Sequence, residues 1–204
     1  MSAHNRPTFQ PRSALAGVPR SAGRSGDESA IRVAEVTGLG RIWLAPFRSR
    51  VGTVGSVLWS RLGCALPPPL QFAEGQDLRL LWADAEGWYA EAPQDRPGAL
   101  LSTLRETLGE MAALADKSAM HAMLRLSGPR VRDLLAKGCQ LDLHPEAFPV
   151  GACAPTAIEH CHVHIRAETP DGFALLVPAS VARSFWHWLE VSALEFGLRV
   201  ENAQ

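Results

Sequence analysis

The chain has 204 residues, enough for one compact domain or two small lobes with a core that needs no disulfide staples. Its 47% hydrophobic and 20% charged residues and its formal net charge of -1 are those of a globular protein, and they exclude the basic footprint of a nucleic-acid binder and an acidic solvating tail. Cys64, Cys139, Cys153 and Cys161 form no C-x-x-C pair and read as the reduced thiols of a cytosolic protein.

Residues 1–29 are rich in Ser, Gly, Pro and Arg and read as a flexible N-terminal arm. Arg6, Arg12, Arg20 and Arg24 precede any acid, as in a transit peptide, but Pro7, Pro11 and Pro19 oppose the amphipathic helix such a peptide needs. No apolar run follows the start, and none is long enough to cross a bilayer. Leu15, in the short apolar patch Ala14 to Val18, suits an arm that orders on a partner.

Ile31 to Val36 and Arg41 to Phe47 read as two strands of a hairpin turning at Gly38 and Gly40. Val51, Val54, Leu58 and Leu62 fall at helical spacing, with Gly63 as the stop. Leu78 to Ala83 and Trp88 to Ala92 form a hairpin around Asp84 to Gly87. Leu101, Leu104 and Leu108 mark a second helix, ended by Gly109, and Met111 to Ala115 a strand.

The second half repeats the order. Met120 to Leu126 is a strand, and Ser127 is placed as the N-cap of a helix buried through Val131, Leu134 and Leu135 and stopped by Gly138. Thr156 to Ala167 and Phe173 to Val177 are strands around Pro170-Asp171-Gly172. A last helix carries Val181, Phe185, Trp188, Leu189, Ser192 and Phe196 on one stripe and ends at Gly197. The fold class is therefore α+β: two βαββα lobes with mainly antiparallel sheets, residues 30–115 and 116–204, in one compact unit.

Chemistry is sparse. His160, His162 and His164 share a strand face and could bind Zn²⁺ or Cu²⁺, with Glu159, Glu168 or His144 as outer ligands. The preferred reading is a polar strand face turned to water or a partner, with Cys161, Val163 and Ile165 facing the core. No G-x-S-x-G elbow occurs, and Cys139 sits at a helix C-terminus, which disfavours a thiolate. Asp116, Ser118 and His121 could form an acid-base group but more simply satisfy a chain turn. Gly38-Leu39-Gly40 lacks the following helix and third glycine of a dinucleotide cradle. Trp43, Trp82 and Trp188 fit core positions. Trp186 at the edge of the last stripe and Leu194 beyond it are, with Leu15, the candidate partner contacts.

The run Leu124-Arg-Leu-Ser-Gly-Pro-Arg-Val-Arg-Asp-Leu-Leu-Ala-Lys-Gly-Cys139 resembles the gamma subunit of heterotetrameric sarcosine oxidase. Leu141-Asp-Leu-His-Pro145, Gly151-Ala-Cys-Ala154, Ser184-Phe-Trp-His-Trp-Leu189 and Glu195-Phe-Gly197 extend the likeness, and Trp82-Ala-Asp84 with Trp88 resembles the family's first-lobe hairpin. The resemblance is dense over residues 116–197 and loose over 30–115. Pro155 stands where the family pattern has Gln, which bears on the local strand start.

The resemblance implies a fold like the folate-binding lobes of glycine-cleavage T-protein. It implies a cytoplasmic complex of alpha, beta, gamma and delta chains that oxidises the N-methyl group of sarcosine. The released one-carbon unit goes to tetrahydrofolate, and O₂ becomes H₂O₂. It places FAD, FMN, NAD and tetrahydrofolate on the alpha and beta partners and zinc on delta. It transfers no catalytic, cofactor-binding or metal residue to this chain, whose implied role is to brace the assembly. Two alternatives keep the fold: the same subunit in a complex acting on another N-methyl amino acid, and a stand-alone folate-binding protein. Lys137-Gly138-Cys139 begins a K-G-C-Y-x-G-Q-E motif of tRNA-repair-like folate enzymes, but Gln140 replaces its Tyr and the Gly-Gln-Glu is missing.

Overall fold

The structure is a computed structural model that describes Ser13, Leu15, residues 31–93, Arg96 and residues 98–201. The rest of the arm, residues 1–12, 14 and 16–29, lies outside the described residues, as does Ala30.

In chain order the elements are β1 (Ile31–Val36), β2 (Leu39–Pro46), α1 (Val51–Leu62), β3 (Phe72–Glu74), β4 (Arg79–Trp82), β5 (Trp88–Pro93), α2 (Ala99–Leu108) and β6 (Ala112–Asp116). There follow β7 (His121–Ser127), α3 (Val131–Ala136), β8 (Cys153–Ile158), β9 (Cys161–Thr169), β10 (Gly172–Pro178), α4 (Ala182–Ser192) and β11 (Leu198–Val200). The strands form a five-stranded sheet, β3-β4-β5-β2-β6, and a six-stranded sheet, β11-β1-β7-β10-β9-β8. Every pairing is antiparallel except β1 with β11.

The echo between the halves is topological. β2-α1-β3-β4-β5-α2-β6 and β7-α3-β8-β9-β10-α4-β11 run through their sheets in the same spatial order, with β1 inserted between β7 and β11 of the second. This corrects the expected β1–β2 hairpin. Ile31 and Val33 are fully buried among the apolar residues of the second half. β1 pairs β7 through Val33↔Leu126 and β11 through Ile31↔Leu198, while β2 joins the other sheet. A two-residue glycine-containing connection suits a hairpin and a change of sheet equally well.

Each half buries its own core between a sheet and its helices. Val54, Leu58, Leu100, Leu104 and Leu108 from α1 and α2 meet Ile42, Leu44, Leu80 and Ala90. Val131, Leu134, Leu135, Phe185 and Leu189 from α3 and α4 meet Leu124, Leu126, Ile165, Phe173 and Leu175. Period-2 burial of the strands and i, i+3, i+4 burial of the helices produce both interfaces. At its C-terminus, α1 stops where Gly63, at φ 62°, donates its N–H to Trp59 O at 3.0 Å. The two sheets meet on the faces turned away from the helices, giving four layers.

Three local expectations change. Ser127 ends β7 rather than capping α3, whose N-cap is Arg130. The expected long strand from Thr156 divides into the β8–β9 hairpin at Glu159-His160. Glu159 takes φ 55°, a conformation usually left to glycine at the first position of such a turn. Its N–H donates to Gly138 O at 3.0 Å, and Gly138 must be glycine because a Cβ there would lie 2.7 Å from the Trp188 ring. Pro155 sits in β8 opposite His164, on the edge strand of its sheet, where its missing N–H costs no ladder bond to an outer neighbour.

The side chains proposed for partner contact separate. Leu15 packs into this chain's own second-half core at 7% exposure, and the other residues of its patch lie outside the described residues. Its N–H is held by the Ser13 hydroxyl, which donates to Glu35 at 2.5 Å. Trp186 is likewise core, because α4 buries Ala182, Phe185, Trp186 and Leu189, a wider stripe than the one read from the sequence. Leu194 is 78% exposed.

Candidate functional site: a buried charge network between the sheets

Charged side chains from both sheets converge where apolar packing would be expected. Glu91 on β5 lies opposite Arg41 on β2 and Arg79 on β4 in the pairing register. Its carboxylate accepts from Arg41 Nε at 2.7 Å and from Arg166 Nη1 of β9, across the sheets, at 2.8 Å. Glu168 accepts from Arg166 Nε at 2.9 Å, Arg125 Nε at 2.8 Å and Arg79 Nη1 at 3.3 Å. Arg79 also pairs with Glu74. Arg41 and Arg166 both reach Met123 Sδ, at 3.9 and 3.8 Å.

Burial alone would raise the Glu91 carboxyl, but Arg166 and Arg41 outweigh it and hold it at about 2. Glu168 is lowered in the same way by Arg166 and Arg125. For Arg166, burial works against the charge, and Glu91 and Glu168 outweigh it, so its guanidinium stays charged. At its buried centre, Arg41, Glu91 and Arg166, each charge needs to be paired, because any one left alone would carry its desolvation cost.

Beside it lies an aromatic-imidazole group. His164 Nε2 sits 2.8 Å from Trp82 O, and Tyr89 meets His164 and His121 edge-on at 5.8 and 6.0 Å. Burial first, then nearby arginines, pushes both imidazoles down to about 4, so they are neutral at pH 7. Burial also pushes the Cys153 thiol, whose Sγ faces Trp82 O, up to about 12, which leaves it unreactive. Near Glu91 the inter-sheet space opens to a cleft of about 350 Å³, with Leu39, Asp77, Arg79 and Arg125 among its lining. As an arrangement of neutral imidazoles, saturated carboxylates and an unactivated thiol, the interior is an electrostatic clamp between sheets.

The three histidines do not act together. His160 lies in the β8–β9 turn with its side chain 93% exposed, His162 is exposed on β9, and His164 is buried against Trp82. Among the described residues no group of three or more His, Cys, Asp or Glu is placed to hold a metal ion. Cys161, Val163 and Ile165 face the helix-side core. Asp116 and Ser118 fix a turn: Asp116 Oδ1 accepts from the Ser118 hydroxyl at 2.6 Å and from its N–H at 2.9 Å, and Ser118 Oγ accepts from Arg41 N–H. His121 points instead toward Tyr89. Cys139 bridges to Ile158 through the backbone, behind the end of α3.

The sequence reading gave Arg41 only as a strand start and Glu168 only as a possible outer metal ligand, and it assigned no role to Glu91 or Arg166. Their signal was a charge set inside an apolar strand, as in Leu39-Gly-Arg-Ile-Trp-Leu44 and Val163-His-Ile-Arg-Ala167.

Comparison with known proteins fits this architecture. The pattern of the family described as "Sarcosine oxidase, gamma subunit family" matches residues 52–195. A sarcosine oxidase subunit gamma from Corynebacterium sp. (strain P-1) is 30% identical over 144 residues, 69% of this chain and 70% of that protein. A chain of the heterotetrameric sarcosine oxidase from Corynebacterium sp. U-96, solved in complex with pyrrole 2-carboxylate, is 29% identical. It superposes with a TM-score of 0.78 over 91% of this chain and 95% of that one. Glycine cleavage system aminomethyltransferase T from Bartonella henselae shares the fold at 14% identity and a TM-score of 0.59, over 86% of this chain and 49% of that one. This chain belongs to the sarcosine oxidase gamma subunit family.

Proposed function

We propose that this chain is a non-catalytic structural subunit of a heterotetrameric sarcosine oxidase, assembled with alpha, beta and delta partners. The supporting observation is the interior: the side chains of Arg41, Glu91, Arg166 and Glu168 pair with one another between the sheets, and the neighbouring His164 and Cys153 are held neutral. The charges tie the two sheets to each other, which is what a brace requires.

On this reading the oxidation of sarcosine to glycine, with H₂O₂ and a one-carbon unit as products, takes place on the partners. FAD, FMN, NAD and tetrahydrofolate are assigned to alpha and beta, zinc to delta, and the assembly to the cytoplasm. No helix among the described residues is long and apolar enough to cross a membrane. Leu194, beside the half-exposed Val191 at the end of α4, is a proposed partner contact.

The test is equilibrium binding of tetrahydrofolate and FAD to the isolated chain, alongside reconstitution with the partners. Activity confined to the reconstituted complex, with no ligand bound by the free chain, is expected. Tight folate binding by the free chain would overturn the reading.

A further inference from the structure

The edges of the two sheets are not finished alike. β8 is guarded along its outer side: the Cys153 N–H donates to Leu70 O at 2.9 Å, Pro155 has no N–H to offer, and Ala157 O accepts from the Gln140 N–H at 3.2 Å. On β3 the Phe72 N–H donates to Gly151 O at 3.1 Å. β11 is three residues long and carries the exposed Arg199 at its centre. β6, Ala-Ala-Leu-Ala-Asp, has five residues, a regular register with β2, and neither a proline nor a basic residue.

The pairing with β2 fixes which groups of β6 point outward. The Lys117 N–H donates to Arg41 O at 2.8 Å, and the Phe47 N–H to Met111 O at 3.1 Å. An antiparallel ladder alternates, so Ala113 and Ala115 turn their backbone groups toward β2, while Leu114 and Asp116 turn theirs away from the sheet. Among the described residues nothing accepts from the Leu114 and Asp116 N–H groups, and nothing donates to the Ala112, Leu114 and Asp116 carbonyls. α2 lies on one face of β6, where Ala112 and Leu114 join Leu104 and Leu108 in the core, and Ala113 is exposed on the other face.

An edge of this kind takes an extended strand, and the charges at its ends select one. Glu110 precedes β6, Asp116 ends it, and Lys117 follows. Two copies of β6 laid antiparallel about Leu114 set Leu114 against Leu114, Ala113 against Ala115 and Asp116 against Ala112. Lys117 of each copy then lies beside Glu110 of the other. No like charges face each other, and the side chains at the centre are small or apolar. A parallel, in-register pair would set Asp116 against Asp116.

We propose that the outer edge of β6 is a self-association surface that takes β6 of a second copy of this chain in antiparallel pairing about Leu114. The five-stranded sheets of the two copies then continue into each other. This goes beyond the assembly reading and does not rest on it, because the pairing joins two free chains or two assemblies alike.

The test is sedimentation of the isolated full-length chain over a range of concentrations, together with cysteine trapping. Ala113→Cys and Ala115→Cys chains are mixed under mild oxidation, since facing residues of a non-hydrogen-bonded antiparallel pair lie within disulfide reach. A concentration-dependent dimer is expected, with a 113–115 cross-link in the mixture that neither variant forms alone. Leu114→Pro removes an outward N–H at an edge position, where proline is tolerated, and should raise the dimer Kd about tenfold or more while the circular dichroism spectrum stays that of wild type. A wild type that sediments as a monomer up to about 0.1 mM, or cross-links that form equally in unmixed samples, would overturn the proposal. Should Leu114→Pro unfold, the trapping result decides alone. Co-expression with the alpha, beta and delta chains adds the remaining outcome: a photo-reactive residue in place of Ala113 that captures one of those chains instead of a second copy would give the edge to a partner and overturn the proposal.

Discussion

Glu91 on β5 and Arg166 on β9 meet at 2.8 Å across the two sheets, each with its side chain no more than 2% exposed. Arg41 completes the buried group from the strand beside Glu91. Replacing Glu91 with Ala leaves two buried guanidiniums facing each other, and the expected loss is about 3–5 kcal/mol of folding stability. Urea melts of the isolated chain measure it. A loss below about 1 kcal/mol, the range of an exposed ion pair, would mean that water reaches the network.

Acid should weaken the fold in two stages. His121 and His164, at about 4 when folded, bind protons more readily in the unfolded chain, whose imidazoles titrate near 6.5. Their contribution is therefore full above pH 6.5 and falls as the pH drops toward 4. Glu91 follows: its carboxyl is depressed to about 2 from an ordinary 4.5, so its contribution is present above pH 4.5 and is lost as the pH falls toward 2. Urea melts at pH 7 and pH 5 should show lower stability at pH 5, with His164→Asn flattening the difference. Equal stability at both values would contradict the buried neutral imidazoles.

Glu159 holds a left-handed backbone at the β8–β9 turn. Glu159→Gly relieves that strain and should raise stability by about 1 kcal/mol. Gly138→Ala should lower it by about 1–3 kcal/mol, since its Cβ would press on Trp188. Thermal melts of both variants check the pair of opposite signs.

Leu15 contributes to this chain's own core. Leu15→Ala should therefore destabilise the isolated chain by about 2–3 kcal/mol, toward the low end for a buried leucine. A variant that melts like wild type alone and loses only partner binding would return Leu15 to an external surface.

Much of the fold was legible because the helices and hairpins carry regular punctuation. Gly63 and Gly109 stop α1 and α2, and the β4–β5 hairpin turns at Asp84, which accepts from the Glu86 and Gly87 N–H groups. What was missed lacked local signal. The β8–β9 turn uses Glu159 and His160 rather than Gly or Asn, and the exchange of β1 into the second sheet is a long-range choice that no short window contains. The charge network was illegible for a related reason. Alternation tells which face of a strand Arg41 or Arg166 takes, but not that two such faces pack together with Glu91 between them. Trp186 was misplaced because a helix lying flat on a sheet buries a wider stripe than its strongest spacing suggests.

The most direct test of a structural gamma subunit is recovery of this chain from its native cell, with flavin absorbance and sarcosine-dependent H₂O₂ recorded on the eluate. Larger flavin-bearing chains and activity should co-elute, while the isolated chain is colourless and inactive. A lone chain that turns over sarcosine, or that is recovered without flavin-bearing partners, would contradict the assignment.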